Sequence, residues 1–161
     1  MSEALHEEGR AGVRAGGGAG YEISTDPDRL DLDRMHRWLS TDAYWALGRP
    51  RDTLERAVAG SVNFGAYATG SASGDAPGQI GYARLITDGA TFAWLCDVYV
   101  DRAARGRGVG SALVAAVRAH LEPYGLRRIA LVTADAHEVY ARHGFRQLAD
   151  PGMWMAWEAP A

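Results

Sequence analysis

A chain of 161 residues, 47% apolar and 23% charged, is long enough for one domain with a sizeable core and has the balance of a globular protein. Its net charge of −3 argues against nucleic acid as a partner, and all 17 of its basic residues are arginine. A single cysteine, Cys96, excludes an intrachain disulfide and a cysteine-based structural zinc site.

Residues 1–20 carry charges and then Gly16-Gly17-Gly18-Ala19-Gly20, the composition of a flexible tail. They hold no apolar signal core, and no later apolar run reaches the roughly eighteen residues of a membrane helix. A cytoplasmic location is expected. The ordered domain is expected over residues 21–161.

Residues 21–24 read as a short strand. Asp26 and Pro27 are a helix start, as cap and first helical position. Leu32, Met35, Trp38 and Leu39 follow at helical spacing. A second short helix is expected over residues 53–59. Strands are expected over 62–68, 79–87 and 91–100, the first two joined by a glycine-rich loop at 69–78 and the last two by the turn Asp88-Gly89. Three such consecutive runs make an antiparallel meander. Cys96 sits among apolar neighbours in the third run and reads as a packed thiol.

The segment Arg105-Gly106-Arg107-Gly108-Val109-Gly110 comes next, between the long strand and a helix over 109–121. Val109, Ala112, Leu113, Ala116, Val117 and Leu121 give that helix one apolar face. A glycine-rich turn feeding a helix N-terminus offers free N–H groups and partial positive charge to an anion, and reads as a phosphate cradle. The absence of lysine excludes a Walker loop. Ser111 replaces the last glycine of a dinucleotide fingerprint, and the acidic residue that should follow is missing.

A strand over 128–133 is linked to the long strand through this helix, so the two should run parallel. Asp135 is a candidate cap for a helix over 136–142, ended by Gly144. A return strand from Phe145 and a last strand over 153–158, after the turn Asp150-Pro151-Gly152, complete the order β-α-α-β-β-β-α-β-α-β-β. That is an α+β domain with a mixed sheet.

Arg105, Gly108 and Gly110 spell Arg-x-x-Gly-x-Gly, and Tyr140 precedes Gly144-Phe145 by a few residues. In these two motifs and in element order, residues 21–157 resemble the GNAT superfamily, the GCN5-related N-acetyltransferases. The run Tyr44-Trp45-Ala46-Leu47-Gly48-Arg49-Pro50 looks like that of small bacterial members with no settled substrate. The resemblance implies a GNAT fold: a mixed sheet of about seven strands with a splayed parallel pair and flanking helices. It implies acetyl-CoA as acyl-donor cosubstrate, no metal, and transfer to an amine of a small molecule or peptide by direct attack in a ternary complex. A non-catalytic acyl-CoA-binding or sensor domain is the alternative on the same fold. Homodimers are common in the family, and the apolar last strand is a candidate interface.

Carried onto this chain, the family's pattern places the pyrophosphate on Arg105, Gly106, Arg107, Gly108, Val109, Gly110 and Ser111. The pantetheine arm pairs with the strand at Val98 and Val100. The acetyl carbonyl falls near the N–H of Val98 or Tyr99, and Tyr140 touches the CoA sulfur and protonates the leaving thiolate. Where many members have an asparagine, this chain reads Thr133-Ala134-Asp135. Asp97, an acid in an apolar run, has three readings: general base or water-holder, satisfied structural acid, or counter-ion for the amine. His137 and His120 are weaker candidates for the base, and His143 reads as a surface neighbour of the helix end. Tyr44, Trp45, Arg49 and Trp154 are candidates for the acceptor pocket, with aromatic core plus a surface arginine as the alternative. An aromatic pocket around Asp97 would suit a small cationic amine.

Overall fold

The computed structural model describes residues 20–70 and 78–160. The expected N-terminal tail lies outside the described residues except for Gly20, as do positions 71–77 of the expected glycine-rich loop. The elements are β1 (Tyr21–Ser24), α1 (Leu32–Thr41), α2 (Arg51–Ala59), β2 (Val62–Ala68), β3 (Gln79–Thr87), β4 (Phe92–Val100), α3 (Val109–Leu121), β5 (Arg128–Ala130) and α4 (His137–Ala141). The five strands form one sheet in sequence order. Neighbours from β1 to β4 run antiparallel, and β5 runs parallel to β4.

The sheet is covered on both faces. The apolar stripe expected of α3 is buried, with Leu113 and Val117 packed against Ile23, Phe64, Leu85 and Leu95. On the opposite face Met35, Trp38 and Leu39, one stripe of α1, pack with Leu54 of α2 on Tyr82 and Tyr99. α3 covers one face and α1 with α2 the other, and the open part of the molecule lies beyond the three residues at which β4 pairs with β5.

The helix expected from Pro27 is interrupted. Asp26 caps only a single 3-10 turn, Pro27–Arg29, by accepting from the Asp28 N–H at 3.0 Å. Leu30 is extended, and a second cap, Asp31, starts α1 by accepting from the Arg34 N–H at 2.9 Å. Gln79 holds the break open: its Oε1 accepts from the Asp31 N–H at 2.8 Å, and its carbonyl accepts from Arg34 Nη1 at 2.7 Å.

The strand count is five, against an expected number of about seven. Neither the return strand from Phe145 nor the last strand at 153–158 forms among the described residues. A 3-10 turn, Pro151–Met153, takes up the start of that last run. Its partner would be the edge of β5, which pairs with β4 over three residues instead of the expected six and so offers little to dock on. Met153, Met155 and Trp157 consequently stay exposed. The helix expected over 136–142 is shorter, and Thr133 rather than Asp135 supports its start, its Oγ1 accepting from the Ala136 N–H at 3.0 Å.

Periodicity did not reveal a bulge in β4. Tyr82 pairs with Tyr99 and Arg84 with Cys96, so Asp97 and Val98 together oppose the single residue Ala83. The burial pattern records the slip. Ala93 and Leu95 face the α3 side before it, whereas Val98 and Val100 face that side after it and Tyr99 turns to α1.

Candidate active site

β4 and β5 pair only at Phe92–Arg128, Ala93–Ile129 and Trp94–Ala130, and then diverge. From Leu95 to Val100 the side of β4 facing β5 has no ladder partner. The opening is a cleft of about 700 Å³, floored by β4 and walled by the segment after β5 and by α4. Strand alternation decides which groups face it. Asp101 donates its N–H to Ile80 O at 2.9 Å on the β3 side, and Tyr82–Tyr99 pair two residues earlier. The N–H groups of Val98 and Val100 therefore point into the cleft, while that of Tyr99 points to β3.

One end of the cleft is the glycine loop. Gly106 and Gly108 have φ of 78° and 79°, the left-handed region where a side chain is strained, and they turn the chain into α3. No side chain caps α3, and its first backbone bond is Ala112 N–H to Gly108 O at 3.0 Å. The N–H groups of its first turn are thus available to a ligand. Arg105 donates from Nε to Val100 O at 3.1 Å, closing this end. Asp42, at the end of α1, gathers Tyr99 Oη (2.6 Å), Arg102 and Arg105. The hydrogen bond from Arg102, then that from Tyr99, hold the Asp42 carboxyl well below the usual range. Arg107 reaches toward Gly20 O at 3.5 Å. Ser111 Oγ lies 2.7 Å from His143 Nε2, which ties the first turn of α3 to the end of α4.

Tyr140 stands on the opposite wall, half-buried, its ring edge-on to Phe145 at 5.9 Å. Burial, with the nearby Tyr44 and Asp135, pushes its phenol up to about 12, so it stays protonated through the neutral range. Tyr44 crosses from the α1–α2 connection, and its Oη accepts from the Ala134 N–H at 2.9 Å. The Ala134 N–H, in the segment where an asparagine was expected from the resemblance, is therefore already occupied.

The third part is an ionic knot under the bulge. Asp97 has φ of 51°, an uncommon value for a residue other than glycine. Its side chain is 1% exposed. Oδ1 accepts from Trp45 Nε1 at 3.0 Å, and Oδ2 accepts from Arg49 Nη1 at 2.7 Å and Arg84 Nε at 2.8 Å. Burial alone would raise this carboxyl, but the hydrogen bonds and charges of Arg49 and Arg84 outweigh it and hold the carboxyl below its ordinary range. Cys96 also lines the cleft, and burial pushes its thiol up to about 11, so it stays neutral.

Tyr44, Trp45 and Arg49 thus meet Asp97, Val98 and Tyr140 at one cleft. Trp154 does not line it; that ring lies beside the guanidinium of Arg128 at 5.3 Å. His120 packs edge-on to Phe64 at 5.6 Å, and neither it nor His137 lines the cleft. Arg84 and Asp42 were missed in the sequence. For Arg84 there was a signal, a lone cation in an apolar strand facing a strand with a lone acid. For Asp42 there was none, because its partners lie some sixty residues away.

A sheet opened beside an uncapped helix N-terminus leaves a long cleft with free backbone N–H groups at one end. Residues 32–145 match the model of the acetyltransferase (GNAT) family. A Gibberella zeae protein provisionally named an acetyltransferase is 33% identical over 136 residues, covering 76% of this chain and 77% of that one. A GNAT-family protein of known structure from Xanthomonas campestris pv. campestris is 42% identical, with a TM-score of 0.78 over 87% of this chain and 94% of that one. The fold is shared more distantly by a Mycobacterium tuberculosis protein solved in complex with CoA and NLQ, at 23% identity and a TM-score of 0.61, over 78% and 72% of the two chains. The chain belongs to the GNAT acetyltransferase family.

Proposed function

We propose that this chain transfers the acetyl group of acetyl-CoA to an amine by direct attack within a ternary complex. The observation that carries the reading is the divergence of β4 from β5, with the free first turn of α3 at one end and a protonated Tyr140 on the far wall. The first turn and the loop 105–110 bind the pyrophosphate, with backbone N–H groups aimed at the anion and arginines beside it. The pantetheine arm adds to the open side of β4 at Val98 and Val100, a small-molecule form of strand addition. The Val98 N–H then faces the thioester carbonyl and stabilises the oxyanion that forms when the amine attacks. Collapse of the tetrahedral intermediate breaks the C–S bond. Tyr140 supplies the proton to the departing sulfur and is restored by the proton that the attacking nitrogen sheds, passed through water in the open cleft.

Asp97, held as a carboxylate by two arginines, is a weak base. In this reading it positions Arg49, Arg84 and Trp45 and takes no proton. The acyltransferase unit runs over residues 21–161, works in the cytoplasm and uses no metal. It pairs as a homodimer through the apolar segment around Met155 and Trp157. Sedimentation tests that last point.

Acetyl-CoA should raise the melting temperature, as a ligand selective for the folded state does. Thiol release should then depend on an added amine. No thermal shift at millimolar acetyl-CoA would overturn the reading. A shift with no turnover on any amine would leave an acyl-CoA-binding domain.

A further inference from the structure

The ionic knot has one more positive charge than its carboxylate can match. Arg49 and Arg84 are 19% and 12% exposed at the side chain, both line the cleft, and both rest on the single oxygen Oδ2 of Asp97. Arg84 spends Nε on Asp97 and Nη1 on Ser61 Oγ at 3.2 Å, leaving Nη2 without a partner among the described residues. Arg49 spends only Nη1 there, leaving Nε and Nη2 without a partner among the described residues. The remaining charged groups of the cleft do not cancel the excess. Arg102 and Arg105 are engaged with Asp42 at the loop end, and Asp135 lies on the Tyr140 side. Four arginines and three aspartates line the whole cleft.

The position of this surplus matters as much as its sign. Asp97 immediately precedes Val98, whose N–H faces the cleft. A group bound by Arg49 and Arg84 therefore lies a short spacer away from the point where the amine must attack. Guanidinium groups largely removed from water, with donors unmet, favour a planar anion that accepts two hydrogen bonds at once. The expectation of a small cationic amine drawn to Asp97 is reversed, because its charge is already taken.

We propose that Arg49 and Arg84 form a carboxylate subsite and that the acceptor is a small amino acid, carrying its amine and its carboxylate on one short skeleton. This rests on the amine-acetyltransferase reading above. The amine points to the thioester at Val98, the carboxylate docks on the free guanidinium edges, and Trp45 and Tyr44 form the apolar rim.

The test uses matched pairs that differ only in the carboxylate. N-acetylglycine and N-acetylglycinamide are titrated by calorimetry into the CoA-saturated protein, and initial rates of thiol release are compared for amino acids and their amides. The acid should bind and react about tenfold better or more, the size expected of a charge-assisted hydrogen bond. Arg49→Gln should reduce that preference to less than about twofold, while Arg49→Lys, which keeps the charge, retains part of it. Equal treatment of acid and amide, preference for the amide, or binding of neither would overturn the subsite. If Arg49→Gln does not fold, the wild-type pair still decides. The same titration into the protein without CoA separates the two readings: if acid and amide are discriminated there but acetyl-CoA does not bind, the subsite stands and the acetyltransferase reading falls. Turnover of peptides with no preference for free amino acids would also overturn the proposal.

Discussion

The two ends of the cleft are built in opposite ways. The loop end is one continuous stretch, residues 101–111, and its main offering is backbone: positive-φ glycines and an uncapped helix turn. The other end, the proposed acceptor site, is side chains brought from three places, Trp45 and Arg49 before α2, Arg84 on β3 and Asp97 in the β4 bulge. A site made of backbone tolerates changes of side chain but not of conformation. A knot of charges does not tolerate the loss of its one carboxylate, because removing Asp97 leaves two largely buried guanidinium groups unpaired.

That contrast can be broken most severely at Asp97. Asp97→Ala strands two largely buried guanidinium groups and should cost about 3–5 kcal/mol, read by urea unfolding. Asp97→Asn tolerates the positive φ better and should cost less. A loss below about 0.5 kcal/mol for the alanine variant would mean the knot is an ornament. The pH dependence has a definite sign. The Asp97 carboxyl is held low in the folded protein, so its stabilisation is full above the unfolded value near about 3.9 and is lost as pH falls through the lower folded value. Acid unfolding of the wild type should therefore carry a component that Asp97→Asn lacks.

Tyr140→Phe probes the far wall without touching either end. It should lower kcat by about a hundredfold and leave the acetyl-CoA Kd within about threefold. Because the phenol is pushed up to about 12, the wild-type rate should show no fall from Tyr140 ionisation near the ordinary value of about 10. A falling limb there that vanishes in the phenylalanine variant would mean the phenol is less shielded than its surroundings imply.

At the loop end two glycines should part company. Gly108 has φ of 79°, and an added Cβ would meet only Tyr21 Oη at 3.7 Å, so Gly108→Ala is a matter of backbone strain, about 1–2 kcal/mol. At Gly110 an added Cβ would meet Val100 Cγ2 at 3.6 Å, an ordinary contact, in a residue that is already helical. Gly110→Ala should leave stability unchanged or raised by up to about 1 kcal/mol. It should still weaken acetyl-CoA about tenfold if the phosphates approach that backbone closely. Undiminished affinity would move the pyrophosphate away from Gly110.

The same difference in construction explains what could be read from sequence. Arg105, Gly108 and Gly110 are neighbours, so their spacing and the elements around them expose the loop directly. The stripe of α3, the meander and the parallel return of β5 follow from periodicities that tertiary packing did not overrule. Asp97 stood out as an acid among apolar residues, but its partners lie at sequence distances of 13, 48 and 52 residues, and no local pattern links them. The bulge was invisible for a related reason. A one-residue slip in β4 leaves the sequence equally apolar and changes only which residues face α3. Residues 145–158 failed in the other direction, because strand-forming composition needs an edge to pair with, and β5 is too short to provide one.

The smallest effect is expected where the two ends are joined. Tyr44 belongs to the acceptor side, yet its Oη is held by the Ala134 N–H of the Tyr140 wall. Both groups are reachable by water, so Tyr44→Phe trades one hydrogen bond for solvation and should cost only about 0.5 kcal/mol in stability. Its consequence for binding should be unequal. With acetyl-CoA on the backbone of Val98, Val100 and α3, as proposed, its Kd should not move. With the acceptor held among Tyr44, Trp45 and Arg49, as proposed, its KM should rise severalfold. Steady-state kinetics with each substrate varied in turn separates the two. An equal rise in both constants would mean that the wall moves as a unit, and that the two ends are not independent.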